Sequence, residues 1–268
     1  MMNEKNSNKQ TGSAQYAQWA EQQLLDYENR CPGSLFEKGL SLSVEEGYRL
    51  QHAVARLRIE RGDRIIGYKV GCTSATIRSQ LGIDHCVTGR LYHSEQHATG
   101  ECLQLENYAR LAIEGELAVI LERAPRQTDF TRPDVPPCVS FIIPVIELHN
   151  HVMHSRPASA GELIANNAIH AGFVTGDITK RIDGIERGTL SIRMDGRTVE
   201  TCTGSQIIET IRTSLQWLQA TLEKRGEQLQ AGQIILTGSI PSLIPISQHC
   251  TIQVDAPPFG QTNATFIN

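Results

Sequence analysis

Hydrophobic and polar positions divide the chain into a helical opening and a longer strand-rich part. Residues 15–27 read as a helix, and Ser43-Val44-Glu45-Glu46 forms a capping box that opens a second helix, running to Arg61 and stopped by Gly62. From Arg64 onward the apolar positions gather into short runs separated by glycine, at 65–70, 110–121, 138–148, 190–194, 199–202, 234–237, 251–254 and 264–267. Runs of this length bounded by turn residues predict strands. Asp195-Gly196 between two of them is a hairpin signal, because glycine accepts the positive φ of a two-residue turn. Two further helices are predicted over 160–171 and 207–225. In the second, Ile207, Ile208, Ile211, Leu215, Leu218 and Leu222 form a core-facing stripe at helical spacing, and Gly226 ends it. No fixed-period repeat is present, so strands distant in sequence must share sheets for a core to close. The expectation is an α+β fold: a disordered tail over 1–14, an N-terminal helical region over 15–63, and one mixed β-rich body over 64–268.

Composition narrows the partners. The 268 residues are 40% hydrophobic and 20% charged, inside the ordinary globular range. Lys and Arg number 25 against 29 Asp and Glu, with no basic run to neutralise a phosphate backbone, which excludes nucleic acid as an expected partner. The longest apolar run, 139–148, holds Pro144 and Glu147 and falls far short of the roughly 20 residues that span a bilayer, so no membrane association is expected. The first fourteen residues lack the apolar segment of a secretory signal, which makes a cytoplasmic location the expectation. Seven scattered cysteines, none spaced Cys-x-x-Cys, read as reduced thiols rather than a disulfide framework or zinc knuckle.

Candidate chemistry concentrates in a few segments. In Glu114-Gly115-Glu116 two carboxylates two residues apart project from the same face of a strand. Such a pair repels unless it shares a proton, binds a cation or lies open to water, and a solvated strand edge is the plain alternative. Glu147 shifts the balance, since it is embedded in an apolar run where an unpaired carboxylate would be costly. Three Glu oxygens match a hard cation, Mg²⁺ or Mn²⁺. Glu147, His149 and His151 would share a face if the strand continues, which makes a zinc or iron site a rival, and a solvated His-rich strand end a third possibility; His154 follows. Gly67-Tyr68-Lys69-Val70-Gly71-Cys72-Thr73-Ser74 reads as a strand ending in a turn, with Ser74 placed to cap a helix over 75–81. Lys69 there suits carboxylate pairing or acid–base work if desolvated, and snorkelling if not. Thr237-Gly238-Ser239 ends another strand with groups that suit carboxylate binding, as many turns do. No Gly-x-Ser-x-Gly elbow, phosphate-binding loop, dinucleotide fingerprint or His-Glu-x-x-His occurs, and no base is evident for Cys72 as a nucleophile.

Taken together, these segments resemble the fumarylacetoacetate hydrolase superfamily, and within it the 2-keto-4-pentenoate hydratase and 4-oxalocrotonate decarboxylase branch. The resemblance spans about residues 42–266. It rests on Gly67-Tyr68-Lys69-Val70-Gly71-Cys72-Thr73-Ser74, Gln80-Leu81-Gly82-Ile83-Asp84, Glu114-Gly115-Glu116 with Glu147, Ala165-Asn166-Asn167-Ala168, and Gln233-Ile234-Ile235-Leu236-Thr237-Gly238-Ser239. It implies a mixed β-roll with flanking helices, Mg²⁺ or Mn²⁺ on Glu114, Glu116 and Glu147, and a homo-oligomer. The implied substrate is a 2-oxo acid or its 2-hydroxydienoate tautomer, handled through a metal-stabilised enolate. Lys69 would be the acid–base or carboxylate-pairing group, with Gly71, Ser74, Asn166, Thr237, Gly238 and Ser239 around the substrate. The chain departs from the branch at Val87, where hydratases carry Asp, leaving Asp84 and His85 as the nearest polar substitutes. It departs also at Leu148-His149-Asn150-His151, at Asn166 in place of Asp, and at Gln248-His249. Hydration is the simplest expected reaction. Decarboxylation and C–C bond hydrolysis are alternatives, and an inactive scaffold or partner subunit is an alternative of another class.

Overall fold

The computed structural model describes residues 2–155, 157–176, 188–239 and 243–268, with the side chains of residues 2–11, 13 and 203–205 left aside. Helices α1 (Met2–Glu28), α2 (Ser34–Glu37) and α3 (Val44–Glu60) open the chain. Then follow β1 (Ile65–Gly71), α4 (Ala75–Leu81), β2 (Val87–Tyr92), β3 (Gln96–Ala98), β4 (Glu101–Gln104), β5 (Leu111–Leu121) and β6 (Val139–Asn150). Next come α5 (Ala160–Ala165), β7 (His170–Thr175), the hairpin of β8 (Thr189–Met194) and β9 (Arg197–Thr203), and the long α6 (Gly204–Lys224). The chain ends through β10 (Ile234–Leu236), β11 (Ile244–Pro245), β12 (Cys250–Asp255) and β13 (Gln261–Ile267).

Two sheets form, as the α+β expectation requires. One runs β2-β1-β10-β5-β6-β7-β3, with β11 also on β5; the other runs β4-β13-β12-β8-β9. The main core lies where they face each other: Ile113, Leu117, Val119, Ile146 and Leu148 of the first meet Ile192, Ile252, Val254 and Phe266 of the second. The α6 stripe closes this core with Ile207, Ile211, Leu215, Leu218 and Leu222, all buried. The opposite face of the first sheet carries a smaller apolar group, Leu91, Ala118, Ile143, Val145, Phe173, Ile234 and Leu236. The helices α1, α3 and α5 pack beside β2, where Gln51 Nε2 donates to the carbonyls of Thr88 and Ile164.

Several expectations change in detail. The backbone of residues 2–14, read as a tail, continues the helix expected over 15–27: with a nucleus formed, Lys, Gln and Glu prolong a helix at little cost. The capping box at Ser43 and Glu46 forms as read. The Asp195-Gly196 turn has positive φ at both residues, 49° and 77°. The helix read over 160–171 ends at Ala165; Asn167, Ala168 and Ile169 all take positive φ, near 54°, 52° and 58°, and His170 opens β7 instead. Asn tolerates the left-handed region, which makes Asn166-Asn167 a workable stop. Strand β2 lacked an apolar signature because buried Thr88, Gly89 and Arg90 interrupt it; Arg90 is matched by Glu227 at 2.8 Å and by the Gln51 amide oxygen at 2.6 Å. All seven cysteines are free in this structure. Among the described residues no helix is long and apolar enough to cross a membrane.

Candidate metal centre

Strands β5 and β6 pair antiparallel with Glu114 opposite Glu147 and Ala112 opposite His149. Strand alternation therefore puts Glu114 and Glu116 of β5 and Glu147 and His149 of β6 on one face of the sheet. Gly115 between the two acids has its own reason: a Cβ there would stand 2.7 Å from Ile192 Cδ1 and 2.9 Å from Val254 Cγ2, so the second sheet presses on the back of the strand. Lys69 arrives from β1, level with Leu236 of β10 and, one strand further, Ala118 of β5. Opposite it on β2, Gly89 leaves the space that the lysine stem and Asn167 occupy; a Cβ would lie 3.2 Å from Lys69 Cγ and 2.5 Å from the Asn167 carbonyl. His170, at the start of β7, completes the group.

The cluster is dry. Lys69, Glu116, Glu147 and His149 are each at most 4% exposed. Lys69 Nζ stands 3.3 Å from Glu147 Oε1, and His170 Nδ1 donates to the same oxygen at 2.7 Å. His149 Nε2 lies 3.3 Å from Glu114 Oε2 and 3.5 Å from Glu147 Oε2. The backbone N–H of Gly238 donates to Glu116 Oε2 at 2.6 Å. Burial penalises every charge here, and the neighbours decide which groups stay ionised. Burial pushes the Glu116 carboxyl well up, and the charges of Glu147 and Glu114 add to the push. Burial works against Glu147 as well, but Lys69, His149 and His170 outweigh it and hold that carboxyl well below the usual range. For Lys69 burial favours the neutral amine, yet Glu147, Glu114 and Glu116 together raise its pKa. Without a cation, the arrangement is a charged Lys69–Glu147 pair beside a protonated Glu116.

One ligand atom each from Glu114, Glu147 and His149 lies within 4.8 Å of the other two. Glu116 Oε1 and both ring nitrogens of His149 are buried without a hydrogen-bond partner among the described residues. Buried polar atoms are rarely left so, and a cation among the carboxylates would satisfy them, so the donor set fits a divalent metal. Sequence reasoning placed Glu114, Glu116, Glu147 and Lys69 in the site, and the structure gathers all four. It also brings in His149, which the rival Glu-His-His reading had named, and adds His170, which was hidden inside a predicted helix.

Other candidates sit elsewhere or act differently. Gly71 lies beside Lys69 Nζ, 3.2 Å from where its Cβ would be. Gly238 contributes its N–H to Glu116, and Ser239 Oγ donates to the Gly115 carbonyl at 3.3 Å. Thr237 turns into the sheet, its hydroxyl donating to the Leu117 carbonyl. Asn166 faces the helices, accepting from Gln23 Nε2 and donating to the Glu162 carbonyl. Ser74 is the exposed N-cap of α4 and makes no capping bond through its side chain. Asp84 is exposed, and His85 Nδ1 engages the adjacent Cys86 carbonyl, so neither is brought to the cluster. The Glu-His-His alternative loses His151, which is exposed and joined to Arg110 only through its backbone N–H. His154 packs on Gly33 with Nε2 on the Pro32 carbonyl. Cys72 is a poor nucleophile, since burial raises its thiol to about 11.

Comparison with known proteins agrees with this geometry. Residues 93–266, well over half of the chain, match the model of the fumarylacetoacetate (FAA) hydrolase C-terminal family. The chain belongs to the fumarylacetoacetate hydrolase family. Among its relatives, a 2-keto-4-pentenoate hydratase of Burkholderia vietnamiensis is 24% identical over 253 residues, 93% of each chain. A 4-oxalocrotonate decarboxylase of Pseudomonas putida is 25% identical over 228 residues, covering 84% of this chain and 86% of its own. The solved structure of 4-oxalocrotonate decarboxylase from Pseudomonas putida G7, complexed with magnesium and adipate, superposes with a TM-score of 0.84. That likeness, at 22% identity, covers 95% of this chain and 98% of the other and shows the fold. The fumarylacetoacetate hydrolase resemblance read from the motifs therefore holds, and the named relatives fall in the branch those motifs indicated.

Proposed function

We propose that the protein is a divalent-metal-dependent lyase acting on a 2-oxo acid or its 2-hydroxydienoate tautomer, with hydration of a 2-keto-4-pentenoate-like substrate as the leading reaction. The observation that carries this reading is the convergence of Glu114, Glu116, Glu147 and a charged, buried Lys69 on one sheet face. The hydratase and decarboxylase relatives support it. Glu114, Glu116 and Glu147 would hold Mg²⁺ or Mn²⁺, cations that oxygen donors suit. A bound ion supplies Lewis-acid stabilisation of negative charge on the substrate's 2-oxygen. The chain's own groups do the remainder. Lys69 Nζ holds the substrate carboxylate or moves a proton at the substrate carbon, Gly71 leaves the space beside it, and Gly238 and Ser239 line the same rim. Asn166 and Thr237 shape the surroundings through their bonds to helix and strand. His170 fixes the orientation of Glu147. A cytoplasmic homo-oligomer accompanies this reading.

The test is calorimetric titration of metal-free protein with Mg²⁺ and with Mn²⁺, in the presence and absence of oxalate, a planar mimic of the enolate. Metal-dependent oxalate binding in the wild type that disappears in Glu116→Ala is the expected result; its absence would leave the scaffold alternative in the lead. Decarboxylation is a second reading with an observation of its own. Val87 is fully buried where hydratases resembling this chain carry Asp, and neither Asp84 nor His85 reaches the cluster to activate water. Release of CO₂ from a 4-oxalocrotonate-like substrate, with no water addition to a 2-hydroxydienoate, would favour it over hydration.

A further inference from the structure

We propose that His149 supplies a nitrogen ligand to the divalent cation of this centre, making it a mixed carboxylate–imidazole site that prefers Mn²⁺, Co²⁺ or Zn²⁺ to Mg²⁺. The inference rests on the metal-site reading above and adds to its three carboxylates. His149 lies on the same strand face as Glu147, opposite Ala112, whose small side chain leaves room for the ring. It is 2% exposed, and neither ring nitrogen has a hydrogen-bond partner among the described residues. Its Nε2 nevertheless stands 3.3 Å from a Glu114 oxygen and 3.5 Å from a Glu147 oxygen. These spacings have a meaning. Two donors each about 2.1 Å from one ion stand roughly 3.0 Å apart at a right angle and about 3.4 Å apart at the tetrahedral angle. The ring nitrogen therefore already stands from each carboxylate oxygen at close to the separation of ligands around one cation, and one ligand atom each from Glu114, Glu147 and His149 lies within 4.8 Å of the other two.

A neutral imidazole also changes which ion is favoured. Oxygen-only sites suit Mg²⁺, whereas an imidazole nitrogen raises affinity for first-row transition ions, more so toward the softer end of the series. A purely electrostatic role for His149, with a protonated ring held between Glu114 and Glu147, predicts the reverse: the ring would compete with any cation, and its removal would tighten binding of all of them.

The experiment uses the full-length metal-free protein loaded with Mn²⁺ and examined by pulsed electron paramagnetic resonance, with and without selective ¹⁵N-histidine labelling. Nitrogen modulation from a directly bound imidazole is expected in the wild type, altered by the label and lost in His149→Ala. Calorimetry on the same proteins should show the Mn²⁺-over-Mg²⁺ preference falling by about tenfold or more in His149→Ala. His149→Asp, which restores a donor but with oxygen, should regain Mg²⁺ binding without regaining the preference. Absence of nitrogen modulation in Mn²⁺-loaded wild type overturns the proposal, as does equal or tighter binding of both metals by His149→Ala. Should the wild type bind no Mn²⁺ at all, or Glu114→Gln bind it undiminished, the three-carboxylate reading falls as well, and the two failures are told apart.

Discussion

Lys69 and Glu147 form an ion pair in a setting that offers neither of them water, at 3.3 Å and with both side chains at most 5% exposed. Removing one partner of such a pair strands the other, which typically costs about 3–5 kcal/mol. Lys69→Met is therefore expected to lower the stability of the metal-free protein by about that much in urea titrations. Turnover in the same variant should fall by about 10²-fold or more, the usual scale of a positioned proton-transfer group, while metal affinity stays close to that of the wild type. Unchanged turnover would remove Lys69 from the chemistry. The neighbouring Cys72 makes a useful contrast. Its thiol is raised to about 11, so it is protonated at neutral pH, and Cys72→Ser should keep turnover within a few-fold of the wild type.

Helix α5 sets how the elements meet around the site, because Asn166 and Asn167 at its end tie it to α1 and to β2. It approaches the chain before α3 so closely that a Cβ on Gly161 would stand 2.0 Å from the Leu42 carbonyl. Backbone cannot retract as a flexible side chain would, so Gly161→Ala should destabilise the protein by about 1–3 kcal/mol or more in chemical denaturation, and should weaken substrate binding through the displaced Asn167 and Gly89. A melting curve identical to the wild type's would show that the crossing tolerates a wider gap. At this scale the sequence was legible where one kind of packing dominates. The runs that became β5, β6 and β10 were readable because nearly every position in them is buried or half-buried, β12 because its burial alternates, and the stripe of α6 because its apolar positions recur at helical spacing. Strand β2 escaped because its buried positions include Arg90, and β7 because three left-handed residues after Ala165 are a tertiary arrangement that a helical pattern does not announce. The same limits applied to the site. Glu114, Glu116 and Glu147 could be found from strand alternation, whereas His170 depended on where α5 stops. Asp84 and His85 were proposed as the polar groups nearest in sequence to Val87, and the turn after α4 leaves them outside.

For the molecule as a whole, acid stability draws on carboxylates outside the metal centre as well as on Glu147 within it. Paired hydrogen bonds from Arg123 lower the Asp129 carboxyl, with the Arg126 N–H helping against burial. Asp63 is lowered too: burial opposes its charge, and bonds from Ser94, Arg64 and Arg58 outweigh that. A carboxyl whose folded pKa lies below its unfolded value gives stability that is fully present above the unfolded value, about 4, and lost as pH falls through the folded one. The urea midpoint should therefore drop below about pH 4, and Asp129→Asn should drop less steeply; parallel profiles would assign the acid sensitivity to other groups. Metal binding acts on the whole fold in a different way: an ion at a hundredfold its Kd stabilises the native state by about 2.7 kcal/mol, which differential scanning calorimetry should register as a rise in Tm lost in Glu116→Ala. The pairing of Glu114 with Glu147 has a consequence for how the chain reaches this fold. Residues 122–138 connect β5 to β6, too long a link for a tight turn to fix which residues align. A slip of one residue in β6 would carry Glu147 and His149 through to the side facing Ile192 and Val254, pushing a carboxylate and an imidazole into oil. The residues that serve chemistry in the finished protein thus also proofread its assembly, since misaligned hairpins are too costly to survive.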